Sequence, residues 1–347
     1  MAEMVTRAAG IECIAMKGSA NGASREREFR RRLLVWYGAN ARELPWRKDR
    51  DPYRVWLSEI MLQQTRVAAV IEHYHEFLRR FPTAQKLAAA REASVLAAWS
   101  GLGYYRRARM LHAAARVIAR ERGGKFPQTA KEWQDLPGIG RYTSAAIASI
   151  AFGEPVAVVD GNVERVLQRV TGSRLAGEKI WSEAERLLDR ARPGDFNQAM
   201  MELGATVCTP RAPQCLTCPV VGLCATRGEM AGLAKPARQK KREIHYALDL
   251  RGGSVLLVQR PRDASLMAGM WELPEIPAPG DHAKPVLTVR HSITVTDYTV
   301  RVWRREFSRD AAGERVVLDR LPRVALTGLA RKILRKAEMV LSRAEVN

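Results

Sequence analysis

The chain has 347 residues, and its 57 lysines and arginines outnumber its 37 aspartates and glutamates, which gives a formal net charge of +20. Both the first 230 residues and the remainder carry a positive excess, which favours a polyanionic partner such as nucleic acid over a membrane surface, although solubility alone could explain it. No apolar run reaches the roughly 18 residues of a membrane-spanning helix, so the composition argues against a transmembrane protein.

Four segments follow one another along the chain. Residues 1–24 lack the apolar core and cleavage site of a signal peptide, so we expect a disordered leader on an intracellular protein. Residues 25–226 repeat apolar side chains at helical spacing and predict a mainly α domain, in which Pro52 suits a first helical turn. Residues 227–243 predict a basic linker. Residues 244–347 alternate in short β-like runs before a closing basic helix from about Thr327 to Arg343, which predicts an α+β domain.

A glycine-rich turn interrupts the helical part in the stretch LPGIGRYTSAAI, residues 136–147. Gly138 and Gly140 can adopt positive φ and leave backbone N–H groups uncovered, while Thr143 and Ser144 open what is expected to be the next helix. Such a turn can seat a phosphate, and it can equally be an ordinary loop between packed helices. The basic composition favours the phosphate site.

Four of the five cysteines form a C-x6-C-x2-C-x5-C cluster: Cys208, Cys215, Cys218 and Cys224. Clustering of this kind in an intracellular chain favours a metal site over disulfides. Zinc is one reading, but only Cys215 and Cys218 form the short pair that zinc sites usually repeat, so an iron–sulfur cluster stays open beside it. Cys13 lies in the leader, where a plain unpaired thiol is expected.

The ordered motifs resemble a known enzyme family. LPGIG, VVDGNVERV and the cysteine cluster, in that order, resemble the helix-hairpin-helix DNA glycosylases related to endonuclease III. WLSEIMLQQTRV, GLGYYRRARML, NQAMMELGATVC, LMAGMWELPEIP and LTGLARKIL are more closely similar to the MutY-type adenine DNA glycosylases. The resemblance covers the chain from about Phe29 to Arg335. It implies base excision repair of adenine opposite 8-oxoguanine or guanine in double-stranded DNA. It also implies a four-iron four-sulfur cluster bound by the four cysteines. The protein would be a monomer in the cytoplasm, associated with the nucleoid as in bacteria.

Cleavage of an N-glycosidic bond needs an acid for the leaving base and a carboxylate for the oxocarbenium-like sugar. Glu59 lies in the apolar run WLSEIML, where burial should raise its pKa and keep it protonated, unless it faces solvent. Asp160 could stabilise the sugar and also cap the helix that follows it. The resemblance assigns proton delivery to adenine N7 to Glu59, places Asn162 as the hydrogen-bonding neighbour of Asp160, and puts Tyr142 beside these carboxylates.

Tyr142 distinguishes two reaction types. Relatives that also cut the strand carry a lysine at this position, whose amine forms a Schiff base with the sugar, and a phenol cannot do so. Tyr142 therefore favours a monofunctional glycosylase, although it could simply fill the core beneath the hairpin. A glycosylase with lyase activity would want Lys at this position, and a noncatalytic DNA-binding repair factor would have lost Glu59 or Asp160.

Further positions receive roles from the resemblance. Gln64 would enter the vacated base stack and Tyr104 would act as a wedge, although MLQQT could merely end a helix and GLGYY could be a tight turn. The matched motifs imply two more sets. DNA contacts would include Leu102, Gly138, Gly140 and Thr143. The adenine pocket would include Trp46, Arg47, Leu62 and Glu202.

The C-terminal domain is similar to the Nudix fold but lacks the glutamate run that holds magnesium in pyrophosphohydrolases, so it should recognise and not hydrolyse. The family's reading loop usually has Phe-Ser-His, whereas this chain has Arg290, His291 and Ser292. His291 and Ser292 can each donate and accept hydrogen bonds, which a reader of 8-oxoguanine requires. We therefore expect these two residues to recognise 8-oxoguanine.

Overall fold

The computed structural model describes residues 20–230, 240–280, 284–293, 296–308 and 310–344. Cys13, the predicted leader up to residue 19 and linker residues 231–239 lie outside these ranges. Contacts divide the described residues into two compact units, one within residues 1–42 and 153–231 and the other within residues 43–152 and 232–347. The predicted domain limits, 25–226 and 244–347, stay predictions.

The described helices, in chain order, are α1 (Ala20–Asn40), α2 (Pro52–Leu62), α3 (Val67–Arg80), α4 (Ala84–Ala89), α5 (Glu92–Trp99), α6 (Arg106–Arg120), α7 (Ala130–Gln134), α8 (Arg141–Phe152), α9 (Gly161–Thr171), α10 (Glu178–Leu187), α11 (Pro193–Thr206) and α12 (Gly328–Ala344). Short 3-10 turns occupy Pro45–Arg47, Cys215–Thr217, Val221–Leu223 and Leu318–Arg323. The mainly helical prediction for residues 25–226 is confirmed. None of the described helices is long and apolar enough to cross a membrane.

The first unit packs α1 and α9–α11 with the cysteine segment. Helices α9 and α11 approach closely at Gly204, where an added Cβ would lie 2.6 Å from the Cβ of Asn162. Phe29 of α1 and Phe196 of α11 pack with ring centroids 6.4 Å apart, and both are buried. The close approach at Gly204 therefore sets the helix that follows Asp160 against α11, and the phenylalanine pair sets α1 against the same helix.

The second unit contains α2–α8 and the C-terminal α+β part. Three tryptophans, Trp56, Trp99 and Trp133, are fully buried among its helices. Helix α2 begins where the Asp51 carboxylate accepts the N–H of Arg54 at 2.9 Å and Pro52 occupies the first turn. This cap and the apolar faces around it set the start of the helix that carries Glu59.

The described strands are β1 (Lys240–Leu248), β2 (Leu250–Arg251), β3 (Ser254–Gln259), β4 (Trp271–Glu272), β5 (Leu287–Ile293), β6 (Thr296–Arg304) and β7 (Glu314–Val317). One sheet has the order β1-β6-β5, with β1 parallel and β5 antiparallel to β6. In the other, β3 pairs antiparallel with β2, β4 and β7. Gly252 and Gly253, both at positive φ, form the two-residue turn between β2 and β3.

A shared apolar cluster joins the two sheets and α12. Val255 and Leu257 of β3, Val300 of β6 and Ile333 of α12 are fully buried in it. The α+β prediction is confirmed, and the closing helix lies within one residue of its predicted limits. Strand β1 begins at Lys240, inside the predicted linker, because its first residues pair with β6 on one side while their side chains stay exposed.

Candidate active site

Glu59 and Tyr142 meet inside the second unit. Glu59 is 6% exposed, and its Oε2 accepts a hydrogen bond from the Tyr142 hydroxyl at 2.8 Å. Helix α2 supplies the carboxyl, and α8 supplies the phenol from its second residue. The alternative in which Glu59 faces solvent is excluded by this burial. Tyr142 touches the predicted acid directly, so it does more than fill space beneath the hairpin.

The turn between α7 and α8 depends on one glycine. Gly138 has φ of +77°, and a Cβ at this position would lie 2.4 Å from the Cβ of Met110 on α6. Gly140, by contrast, does not use the left-handed region, and a Cβ there would meet nothing within 4 Å. The backbone freedom expected of both glycines is therefore needed only at Gly138. Helix α8 begins at Arg141, two residues before the expected start at Thr143.

Thr143 joins the end of α2 to the start of α8. Its side chain is 3% exposed, and its hydroxyl accepts a hydrogen bond from Gln63 Nε2 at 3.2 Å. A DNA contact by Thr143 stays a prediction, and the burial of the residue leaves little of its surface for one. Gln63 is a neighbour of Gln64 that the sequence did not single out.

A cleft of about 990 Å³ within the second unit brings together residues that lie far apart in the sequence. Its lining includes the following predicted DNA contacts and readers: Gln64, Leu102, Tyr104, Gly138, His291 and Ser292. The helical part contributes the first four, and β5 contributes the last two. The helical part and the C-terminal α+β part of this unit therefore line one cleft. The resemblance implies that residues of both parts contact DNA.

Local backbone strain concentrates at this cleft. Among described residues, five that are not glycine have positive φ, and three of them line it: Gln64 (54°), Tyr104 (47°) and Met267 (52°). Tyr104 is 45% exposed, and Leu266, which precedes Met267, is 47% exposed. Strained backbone conformations cluster at functional sites, and an exposed apolar patch can mark an interaction surface, so we expect this cleft to be functional. Leu266 and Met267 begin the motif LMAGMWELPEIP, but sequence reasoning assigned neither residue a role.

The predicted reading residues occupy the end of β5. The Ser292 hydroxyl donates to Asp297 Oδ1 at 2.5 Å across the β5–β6 pair. His291 is half-buried, and its pKa is lowered by that burial and by the nearby Lys332 ammonium. Lys332 also donates to the Arg290 carbonyl at 2.7 Å, which ties this strand end to α12.

Asp160 caps α9 in the first unit. Its Oδ1 accepts the backbone N–H groups of Asn162 at 2.9 Å and Val163 at 2.7 Å, and its Oδ2 accepts Asn162 Nδ2 at 3.0 Å. Arg165 Nη2 donates to Asn162 Oδ1 at 2.8 Å and fixes that amide in turn. The predicted pairing of Asp160 with Asn162 is thus present, together with the capping contact.

The predicted pocket residues have different surroundings. Glu202 is 1% exposed and holds Arg42 through a bidentate pair, with Nε to Oε1 at 2.7 Å and Nη2 to Oε2 at 2.8 Å. The pKa of the Arg42 guanidinium is raised by this pair. Trp46 is buried edge-on against Tyr74, with ring centroids 5.4 Å apart, and lies beside Arg47 in one 3-10 turn. Leu62 is the last residue of α2. Sequence reasoning did not identify Arg42, whose partner lies 160 residues away.

The four predicted metal-binding cysteines line one small cavity in the first unit. Arg169 Nη1 donates to Cys208 Sγ at 3.3 Å, and the Arg227 N–H points to Cys224 Sγ at 3.5 Å. The pKa of the Cys218 thiol is raised to about 11, mainly by burial and then by the neighbouring cysteines. Within the described residues, no group of three Cys, His, Asp or Glu side chains is arranged to hold a single metal ion.

Comparisons with known proteins agree with this geometry. Residues 57–190 match the profile of the HhH-GPD superfamily of base excision DNA repair proteins. A solved thermostable thymine-DNA glycosylase is 31% identical with a TM-score of 0.56 and covers 59% of this chain and 97% of its own. The chain belongs to the HhH-GPD superfamily of base excision DNA repair proteins.

Two further matches refine the relationship. An adenine DNA glycosylase of Homo sapiens is 42% identical over 313 residues, which cover 72% of this chain and 57% of the human protein. The chain thus spans a little more than half the length of this relative. A non-covalent endonuclease III–DNA complex shares the fold, with 22% identity, a TM-score of 0.51 and coverage of 58% of this chain and 96% of its own.

Proposed function

We propose that this protein is a monofunctional adenine DNA glycosylase that releases adenine mispaired with 8-oxoguanine or guanine in duplex DNA and leaves an abasic site. The observation that carries the proposal is the buried Glu59 carboxyl hydrogen-bonded to Tyr142, in a chain whose relatives include proteins named adenine DNA glycosylase. Family membership gives base excision repair, and these two residues supply the chemistry.

Glu59 is the proposed general acid. Adenine leaves readily only after protonation of its ring, so the enzyme needs a carboxyl that can hold a proton and deliver it at N7. A carboxyl that is 6% exposed is shielded from water, and the Tyr142 hydroxyl fixes one of its oxygens. The Glu59 carboxyl would carry the proton towards the base.

Asp160 is the proposed partner of the sugar. Departure of the base leaves positive charge on the ring oxygen and C1′, which a carboxylate stabilises or traps transiently. Three N–H groups from Asn162 and Val163 hold the Asp160 carboxylate in one orientation. Preorganisation of this kind lowers the barrier because the carboxylate does not have to reorient during the reaction.

Tyr142 supports hydrolysis without strand cleavage. A lyase step needs an amine that attacks C1′ to form a Schiff base, and a phenol engaged with Glu59 offers none. The product would therefore be an intact strand with an abasic site.

The cleft supports displacement of adenine from the duplex. Gln64 and Tyr104 line it with exposed side chains on strained backbone, which suits residues that enter a base stack. The hairpin at Gly138 borders the same cleft, where its backbone amides would meet a phosphate. A net charge of +20 would draw DNA to this surface.

Ser292 is the proposed sensor for 8-oxoguanine. Its O–H donates to the acceptor-only carboxylate of Asp297, so its lone pairs stay available to accept the N7–H that 8-oxoguanine has and guanine lacks. A neutral His291 would add one donor and one acceptor beside it, consistent with its lowered pKa. Discrimination by one such bond is worth roughly 0.5 to 1.5 kcal/mol, or about 2- to 13-fold.

The four cysteines are proposed to hold a four-iron four-sulfur cluster. All four thiols line one cavity, and N–H groups of Arg169 and Arg227 point at two of the sulfurs, as is common around such clusters. The bound cluster would tie the loop from Cys208 to Cys224 together.

The proposal is tested with Glu59→Gln and Asp160→Asn. Each variant should release no measurable adenine from a duplex with an adenine:8-oxoguanine mispair, while it binds that duplex with nearly wild-type affinity, because phosphate contacts supply much of the binding. Free adenine is measured by chromatography and binding by fluorescence anisotropy. Substantial adenine release by either variant would remove that residue from the mechanism.

The recognition step has its own test. The double variant His291→Ala with Ser292→Ala should lose most of the preference for 8-oxoguanine over guanine opposite adenine, measured under limiting enzyme. An unchanged preference would place recognition in the helical part, around Tyr104.

A further inference from the structure

We propose that Arg107 is a positioning residue that holds the Gln64 loop and the Tyr104 loop in the geometry needed to displace adenine. The inference deepens the proposed glycosylase function and rests on it. Arg107 lies in the first turn of α6, next to the glycine-rich stretch GLGYY, and the sequence gives no sign of its contacts.

One nitrogen of the Arg107 guanidinium closes the end of the helix that carries Glu59. Nη1 donates to the carbonyl oxygens of Ile60 at 2.8 Å, Met61 at 2.9 Å and Gln63 at 2.6 Å. The last carbonyls of a helix have no partner within it, and a cation there is favoured by the helix dipole. Arg107 thereby fixes the exit of α2, immediately before Gln64.

The other nitrogen holds both loops. Nη2 donates to Thr65 Oγ1 at 3.1 Å on the Gln64 loop, and to the carbonyls of Leu102 at 3.3 Å and Gly103 at 3.2 Å on the Tyr104 loop. The guanidinium carbon lies 5.4 Å from the ring centroid of Tyr104. A single planar group therefore spans the two segments on which Gln64 and Tyr104 stand.

The strain at the two loop tips explains why such a clamp is needed. Gln64 and Tyr104 both have a left-handed backbone, with φ of 54° and 47°. Residues other than glycine are strained in this conformation and keep it only when surrounding contacts hold them there. Arg107 bonds to residues on both sides of Gln64 and directly before Tyr104. Burial lowers the pKa of Arg107 to about 10, which still leaves it cationic at neutral pH.

Arg107→Lys is the informative substitution, because it keeps the charge but replaces two separated nitrogens with one that cannot bridge both loops. Thr65→Val is a milder second variant, which removes the side-chain acceptor for Arg107 on the Gln64 loop together with the 3.2 Å bond from the Thr65 hydroxyl to the Gln63 carbonyl. Arg116→Lys, an exposed position on the same helix α6, is the matched control.

Two duplex DNA substrates distinguish the positioning of the two loops from the chemical step. One carries adenine opposite 8-oxoguanine, and the other carries adenine opposite a stable abasic-site analogue, so that no partner base has to be lost. A third duplex carries 2-aminopurine in place of the adenine and reports base displacement by its fluorescence on binding. Thermal melting of each variant reports folding.

We expect Arg107→Lys to lower the single-turnover rate on the mispaired duplex by about 10-fold, the loss of roughly one net hydrogen bond, with a smaller change on the unpaired adenine. The 2-aminopurine signal should fall in parallel. Thr65→Val should shift both readouts the same way by less, and Arg116→Lys should leave them unchanged. If Arg107→Lys melts well below the wild type, the two readouts of Thr65→Val decide whether Arg107 has the positioning role.

Equal losses on both substrates, or an unchanged 2-aminopurine signal in a folded variant, would overturn the positioning role. A wild-type protein that releases adenine from neither substrate would instead overturn the proposed function. The two failures are therefore distinguishable.

Discussion

The Tyr142 hydroxyl donates a 2.8 Å hydrogen bond to Oε2 of Glu59, across 83 positions of sequence. Because the acceptor is a buried carboxyl, this bond holds the Glu59 side chain in one orientation. It also places a phenol, and not an amine, next to the proposed acid. In the proposed mechanism, the bond would link the release of the base to the absence of strand cleavage.

Tyr142→Phe should slow adenine release by about 10-fold, because a hydrogen bond to a carboxyl contributes roughly 1.5 kcal/mol or more. The measurement is the single-turnover rate on an adenine:8-oxoguanine duplex. Tyr53→Phe is the matched control, since the Tyr53 hydroxyl donates to the Phe81 carbonyl at 2.8 Å, away from Glu59, and its loss should affect stability alone. An unchanged rate for Tyr142→Phe would show that the phenol does not orient the acid.

Gly138→Ala should destabilise the protein by about 2 kcal/mol or more, because the new methyl group meets Met110 on a left-handed backbone. Gly140→Ala is the matched control in the same turn, and it should melt close to the wild type because its Cβ would meet nothing within 4 Å. Thermal unfolding of the two variants gives the comparison. Equal melting temperatures would mean that the turn does not depend on Gly138.

Purified protein should be yellow-brown with broad absorption near ~400 nm, as expected of thiolate-bound iron clusters. Cys208→Ser should lower the iron content and weaken this absorption. Elemental analysis distinguishes the metals. Colourless wild-type protein with stoichiometric zinc would contradict the cluster.

Acidification should destabilise the protein partly through His291. Its folded-state pKa is lowered, so below about 6.5, the ordinary histidine value, the unfolded chain takes up a proton more readily and stability falls as pH falls. Above that pH both states are neutral, and the contribution is constant. His291→Gln should therefore reduce the loss of melting temperature between about pH 7.5 and pH 5.5. An identical loss in the variant would show that His291 does not titrate differently on folding.

The sequence predicted the parts of the site whose residue types carry the chemistry. Glu59 and the four cysteines were singled out because an acid inside an apolar run and clustered thiols are conspicuous, whereas the place of Asn162 beside Asp160 came from the resemblance. The catalytic and metal-binding roles of these residues stay predictions. Thr143 was harder to judge, since only the structure shows its side chain buried against Gln63.

Contacts through the backbone left no signal in the sequence. Arg107 bonds mainly to carbonyl oxygens, which every residue has, so its letter is one arginine among many. Similarly, β1 begins with Lys240, because an edge strand tolerates charged side chains that sequence patterns assign to a linker. The partner of Gly138, Met110, comes from another helix and could not be predicted from the turn itself.

The most direct test is to incubate the purified protein with duplexes that carry adenine opposite each of 8-oxoguanine, guanine, cytosine and thymine, with and without subsequent alkali. We expect adenine release opposite 8-oxoguanine and, more slowly, guanine, with strand breaks only after alkali and little borohydride-trapped enzyme–DNA adduct. Release of no adenine from any duplex, or efficient strand cleavage and trapping without alkali, would contradict this expectation.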